Sequence, residues 1–182
     1  MNMVLEQFFA QMATMPRHGD LVAGILGELR QLKKAHKKAR LFGENTRLAY
    51  HGDIFSAEMF ALSKLINVRN SENLSEAYIS ELACVMPDIM LFYHNLYMER
   101  RSKIIGCPDL IIEIWSDSNT AAERELKKAL YATSDITEHW YLEQHSNIVT
   151  RKKGVDNLPS QNLDEVLRTE SGILLDLRDL AL

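Results

Sequence analysis

The chain has 182 residues, enough for one domain with a proper hydrophobic core. Its 46% hydrophobic and 25% charged residues are ordinary globular composition, and no apolar run approaches the roughly 18 residues of a membrane span. A net charge of −4 argues against a constitutive nucleic-acid binder, and two well-separated cysteines, Cys84 and Cys107, argue against a zinc site or disulfide framework. They read as reduced core thiols of a cytoplasmic protein, in keeping with an N-terminus that lacks a basic signal-peptide region.

Residues 3 to 14 read as weakly helical, ending at Pro16. A second helix is expected over 17 to 40, where Leu21, Ile25, Leu29 and Leu32 recur at helical spacing and Gly43 stands ready as a C-cap. Its end is basic. Arg30, Lys33, Lys34, Lys37, Lys38 and Arg40 occur with no acid among them, which leaves a net −10 on the rest of the chain. Such a stretch on an acidic body is either an electrostatic footprint for phosphates or a solvated helix end whose cations suit the helix dipole. TRLAY (46 to 50) reads as a strand, with a turn after it at Gly52 and Asp53. Residues 56 to 68 look helical, 70 to 76 form a loop, and 77 to 85 fit helix or strand equally.

Two short apolar runs follow, PDIMLFY (87 to 93) and PDLIIEIW (108 to 115), joined by a polar connection. Proline is tolerated at the start of a strand and not in its centre, so both runs are expected to be interior strands opening at the proline. A helix is expected over Asn119 to Ala132, with Thr120 and Glu123 at capping-box spacing and a core stripe of Ala122, Leu126, Ala129 and Leu130. EHWYLE (138 to 143) and NIVTRKK (147 to 153) read as a hairpin, and the tail SGILLDLRDLAL ends in a strand or short helix. The order predicts one mixed α/β domain over residues 1 to 182.

Glu113 sits in the middle of an apolar strand, and burying an unpaired carboxylate costs several kcal/mol. Side chains alternate faces along a strand, so Asp109, Ile111, Glu113 and Trp115 share one face. Asp109 is roughly 13 Å from Glu113, too far for both to hold one ion. Asp88, at the start of the preceding strand, lies beside Glu113 if the two strands pair. Two carboxylates on adjacent strands make a hard oxygen site for Mg²⁺ or Mn²⁺. Lys127 is the candidate cation beside them, because it shares a helix face with Glu123 and Tyr131, whereas Lys128 points to water. The plainer readings are that Asp88 and Asp109 are strand-entry turn residues, that Glu113 and Lys127 form a structural ion pair, that Glu123 is a capping acid, and that His18 caps or packs.

At these residues the sequence resembles the Uma-two family, a restriction-endonuclease-like branch of the PD-(D/E)XK nuclease superfamily. The matching segments are MPDIMLF, CPDLIIEIWSDSNT, ERELKKALY and DITEHWYLE, with HGDLVAGILGEL resembling the family's first helix and SGILLDLRDLAL its closing segment. Residues 53 to 86 match poorly and read as a divergent or inserted stretch. The resemblance implies a restriction-endonuclease-like core with a mixed central sheet flanked by helices. It implies Asp88, Glu113 and Lys127 as catalytic residues and Asp88 and Glu113 as ligands of Mg²⁺ or Mn²⁺, with Asp109 as a further ligand or an outer group. In the superfamily motif the lysine stands two residues after the glutamate. Here that position is Trp115, and the lysine matches Lys127 on the following helix. Two smaller departures are Glu123, where the family usually has aspartate, and His139, where it has tyrosine. The implied activity is metal-dependent hydrolysis of DNA phosphodiester bonds by a cytoplasmic homodimer, with the basic residues of 30 to 40 on the phosphate backbone. The alternative is an inactive nuclease-fold module that binds a partner or nucleic acid as a dimer.

Overall fold

A computed structural model describes residues 3–35, 39–50, 83–95, 97–100, 102–132 and 138–182. It begins with helix α1, Met3–Ala35, followed by strands β1, Arg40–Phe42, and β2, Arg47–Tyr50. Next come β3, Ala83–Val85; β4, Ile89–Phe92; β5, Tyr97–Arg100; β6, Lys103–Gly106; and β7, Leu110–Trp115. Helix α2, Ala121–Ala132, leads to β8, Glu138–Glu143, β9, Ile148–Lys153, and β10, Asp156–Asn162. Strands β11, Val166–Arg168, and β12, Leu174–Asp176, and a 3₁₀ turn, Arg178–Leu180, close the chain. This is an α/β fold.

The main sheet has the order β1-β4-β7-β8-β9-β10. β4 and β7 are interior and antiparallel, and β7 and β8 are parallel, joined through α2. Both Pro-Asp runs are therefore interior strands, as their apolar composition implies. Each begins two residues after its proline, because the intervening aspartate turns its carboxylate onto backbone N–H groups. Strict alternation along β4 and β7 divides the interior into two cores. On one face Ile89, Leu91, Leu110, Ile112 and Ile114 pack against the α1 stripe of Leu21, Ile25 and Leu29. On the other face Met90, Phe92, Ile111 and Trp115 meet Leu130 and Tyr131 of α2 and the smaller sheet β3-β2-β6-β5. Gly24 leaves room on α1 for Leu180, whose side chain lies 2.5 Å from where a Cβ would stand.

Several expectations are corrected. The first helix does not end at Pro16 but runs through it, which costs one backbone hydrogen bond that the remaining ladder tolerates. Its described part is Met3–Ala35 and Arg40 already lies in β1, so it does not reach residue 40 and Gly43 is not its C-cap. The connection 94 to 106 is not merely polar: β5 and β6 form an antiparallel hairpin there, with Ser102 in the left-handed region at φ 59°. The tail holds both a strand and a short helical turn. The ambiguous stretch 77 to 85 is strand over Ala83–Val85, and the rest of it, with the turn at Gly52 and Asp53, the helix at 56 to 68 and the loop at 70 to 76, lies outside the described residues. Cys107 is buried and Cys84 is half-buried. No described helix is long and apolar enough to cross a membrane.

Candidate functional site

The register of β4 against β7 pairs Ile89 with Ile112. One residue further along the same antiparallel register, Asp88 faces Glu113. The Asp88 Oδ2 accepts the Ile114 N–H at 2.7 Å, which anchors its carboxylate across the end of β7. Glu113 is fully buried, and both its oxygens have donors. Lys127 Nζ lies 2.9 Å from Oε2, and the Tyr131 hydroxyl donates to Oε1 at 2.5 Å. Lys127 also donates to the Met86 carbonyl at 3.3 Å and sits 5.6 Å from the Trp115 ring centroid. Burial pushes the Glu113 carboxyl up to about 7; the nearby Asp88 charge adds to this, and Lys127 and Tyr131 oppose it. Burial, reinforced by the Glu113 charge, holds the Tyr131 phenol far above its ordinary range, so it remains a donor.

Lys127 is thus the lysine that meets Glu113, while Lys128 pairs with Glu125 on its own helix at 2.9 Å. Of the stripe predicted for α2, Leu130 is buried and the other three residues are not. Ala122, Leu126 and Ala129 are exposed, Leu126 at 58%, and the helix buries Leu130 and Tyr131. Its inward row is Arg124, Lys127, Lys128 and Tyr131, at helical spacing. The surface it covers is acidic and aromatic: Arg124 pairs with Glu143 at 2.8 Å and lies over Trp115, and Lys128 lies over Tyr141. Thr120 caps the helix as expected, its Oγ1 accepting the Glu123 N–H at 3.2 Å.

Asp109 does not join this cluster. Its Oδ2 accepts three consecutive backbone N–H groups, from Tyr93 at 2.6 Å and from His94 and Asn95 at 3.0 Å each. That is the strand-entry turn role. His139 is buried between Tyr141 and Gly154 and belongs to the core.

Residues that sequence reasoning set aside or missed do join it. His18, on α1, places Nε2 3.5 Å from Asp88 Oδ2 and Nδ1 3.3 Å from Glu44 Oε1. The hydrogen bond to Asp88 raises the His18 pKa, and the Asp88, Glu44 and Glu113 charges add to it against burial. Glu44 stands in the turn between β1 and β2, where Asn45 adopts φ 65°, a conformation asparagine tolerates. One ligand atom from each of His18, Glu44 and Asp88 falls within 4.8 Å of the others. A cleft of about 300 Å³, lined by Glu44, Asn45, Met86, Pro87 and Asp88, opens at this point. No spacing rule links the three residues, since they come from a helix, a turn and a strand entry. Only the histidine leading the first helix was a visible signal. Carboxylate oxygens with one imidazole are a donor set that suits a divalent cation.

Of the six basic residues, Arg30, Lys34 and Arg40 are exposed. Arg30 lines a second cleft of about 350 Å³ that shares Glu44 and Asn45 with the first. Lys37, Lys38 and the Lys33 side chain lie outside the described residues.

The model of the Uma2 family, described as "Putative restriction endonuclease", matches residues 3–178, a span that takes in the stretch read as divergent. No curated protein matches the chain. Among solved structures, the chain is similar to one described as a "putative nuclease belonging to DUF820" from Anabaena variabilis. The two share 14% identity at a TM-score of 0.55, over 93% of this chain and 82% of that one. The likeness extends to the fold.

Proposed function

The chain belongs to the Uma2 family, and on that premise we propose that it is a divalent-metal-dependent endonuclease acting on DNA. The observation that carries this reading is the convergence of Asp88, Glu113 and Lys127 at one sheet end beside an open cleft. Asp88 and Glu113 are the residues that would hold Mg²⁺ or Mn²⁺. A cation bound there supplies Lewis-acid stabilisation of the scissile phosphate and lowers the pKa of water.

The protein's own residues do the rest. The Ile114 N–H fixes one Asp88 oxygen, so that its carboxylate is aimed without reorganisation. Tyr131 holds Glu113 from behind. Lys127, tethered between Glu113 and the Met86 carbonyl, presents its ammonium where charge develops on the phosphate or its attacking water. Arg30, with Lys34 and Arg40, contacts the phosphate backbone and sets the duplex along the cleft. A double-strand cut needs two such sites, which a homodimer supplies.

Supercoiled plasmid incubated with Mn²⁺ or Mg²⁺ should be nicked and linearised. Asp88→Ala, Glu113→Ala and Lys127→Ala should each abolish the reaction. Cleavage that survives Glu113→Ala sinks the assignment. One observation favours the second reading, a non-cutting module that binds nucleic acid: both Glu113 oxygens are already satisfied within the protein. That module binds duplex in a salt-sensitive manner and yields no product with either metal.

A further inference from the structure

We propose that His18 Nε2 and Asp88 Oδ2 jointly hold one divalent transition-metal ion, with Glu44 fixing the imidazole through Nδ1, so that the cleft selects Co²⁺ or Zn²⁺ over Mg²⁺ and Ca²⁺. The inference deepens the hydrolytic reading and rests on it for what the ion does there.

The spacing is the first support. Nitrogen and carboxylate ligands sit about 2.1 Å from such an ion, so two of them at a tetrahedral angle are about 3.4 Å apart. His18 Nε2 and Asp88 Oδ2 are 3.5 Å apart, close to that separation. The second support is the other ring nitrogen. A metal-bound histidine almost always donates its remaining N–H to a carboxylate or carbonyl, which sets the tautomer and ring orientation. Glu44 faces Nδ1 in that position at 3.3 Å.

The third support is rigidity. His18 extends from a helix whose Leu21, Val22, Ile25 and Leu29 are buried on the sheet. Asp88 is tied to the β7 backbone, and Glu44 stands in the four-residue connection between β1 and β2. A cleft opens beside two of the three, giving an ion and its remaining ligands a way in. Selectivity follows from the nitrogen donor. Imidazole suits the later first-row ions, whereas Mg²⁺ and Ca²⁺ take oxygen donors and gain little from it.

The test is calorimetric titration of the full chain with CoCl₂, MnCl₂ and MgCl₂. One Co²⁺ per chain is expected, bound at least about tenfold more tightly than Mg²⁺. His18→Gln should weaken Co²⁺ at least about tenfold while moving Mg²⁺ by less than about threefold, and Glu44→Gln should weaken Co²⁺ by about 10- to 100-fold. The proton NMR spectrum of the Co²⁺ form should show a shifted, exchangeable imidazole N–H that His18→Gln removes. Circular dichroism checks the fold of each variant, and His18→Asn serves as a second replacement.

Co²⁺ affinity and spectrum unchanged in His18→Gln overturn the proposal, as does Mg²⁺ binding as tightly as Co²⁺. Cleavage is assayed separately. Co²⁺ held through His18 without cleavage upholds the site and removes the hydrolytic reading. Mg²⁺-supported cleavage indifferent to His18→Gln, with Co²⁺ affinity equally indifferent, removes the site and leaves that reading standing.

Discussion

Asp88 and Asp109 open two neighbouring strands after the same Pro-Asp pair, yet their carboxylates serve different ends. Asp109 caps the turn after β4 through three backbone N–H groups, while Asp88 takes one and lines the cleft. Asp109→Ala should therefore destabilise the fold by about 1–3 kcal/mol in urea titration, because three partly buried N–H groups lose their acceptor. Metal affinity should stay at the wild-type value; a loss confined to metal binding would restore Asp109 as a ligand. His139 supports a pH prediction. Its Nε2 donates to the Gly154 carbonyl at 3.1 Å, so Nδ1 accepts from the Tyr141 hydroxyl at 2.7 Å, and the ring is neutral. Burial lowers its pKa from 6.5 to about 4. The unfolded chain then takes up the proton first as pH falls. The stabilisation is complete above about pH 6.5 and is lost between there and pH 4, up to about 3 kcal/mol. Urea unfolding across that range should show wild type losing this much more than His139→Gln; equal losses would place the acid sensitivity elsewhere.

At the scale of elements, α2 shows how hydrophobic periodicity misleads beside a charged site. Its alanines and leucines suggest a stripe through Leu126, but the sheet end it covers carries Glu113, Glu143, Trp115 and Tyr141. Cations and a tyrosine are better partners for that surface than aliphatic chains, so the helix is rotated by about one residue, roughly 100°. Leu126→Lys should shift stability by no more than about 0.5 kcal/mol, whereas Leu130→Ala should cost about 2–5 kcal/mol. Chemical denaturation of the two variants checks this, and a larger cost at Leu126 would contradict the observed facing. The strands behaved differently. Alternation along β7 predicted its two faces because each face meets an apolar layer, one built on α1 and one on α2 and the smaller sheet.

Across the whole molecule, charge is segregated: a net −4 chain concentrates six cations between residues 30 and 40. Among the described residues, Arg30, Lys33 and Lys34 lie in α1 and Arg40 in β1, and Arg30 reaches the cleft that adjoins Glu44. If these residues contact phosphates, affinity for duplex DNA should fall steeply with salt, and Arg30→Ala should reduce the log–log slope by about 1. Fluorescence anisotropy over a range of NaCl concentrations measures it, and an unchanged slope would exclude Arg30 from the interface. The strands β2, β4, β7, β8 and β9, the interior position of both Pro-Asp runs, the Thr120 cap and the pairing of Asp88, Glu113 and Lys127 were legible in the sequence alone. Each depends on local periodicity or on neighbours in one strand pair. The rotation of α2, the turn role of Asp109 and the meeting of His18 and Glu44 with Asp88 were decided only by the tertiary structure. They depend on which surface a helix must cover and on segments remote in the chain arriving at one sheet end, and no repeat in the sequence encodes either.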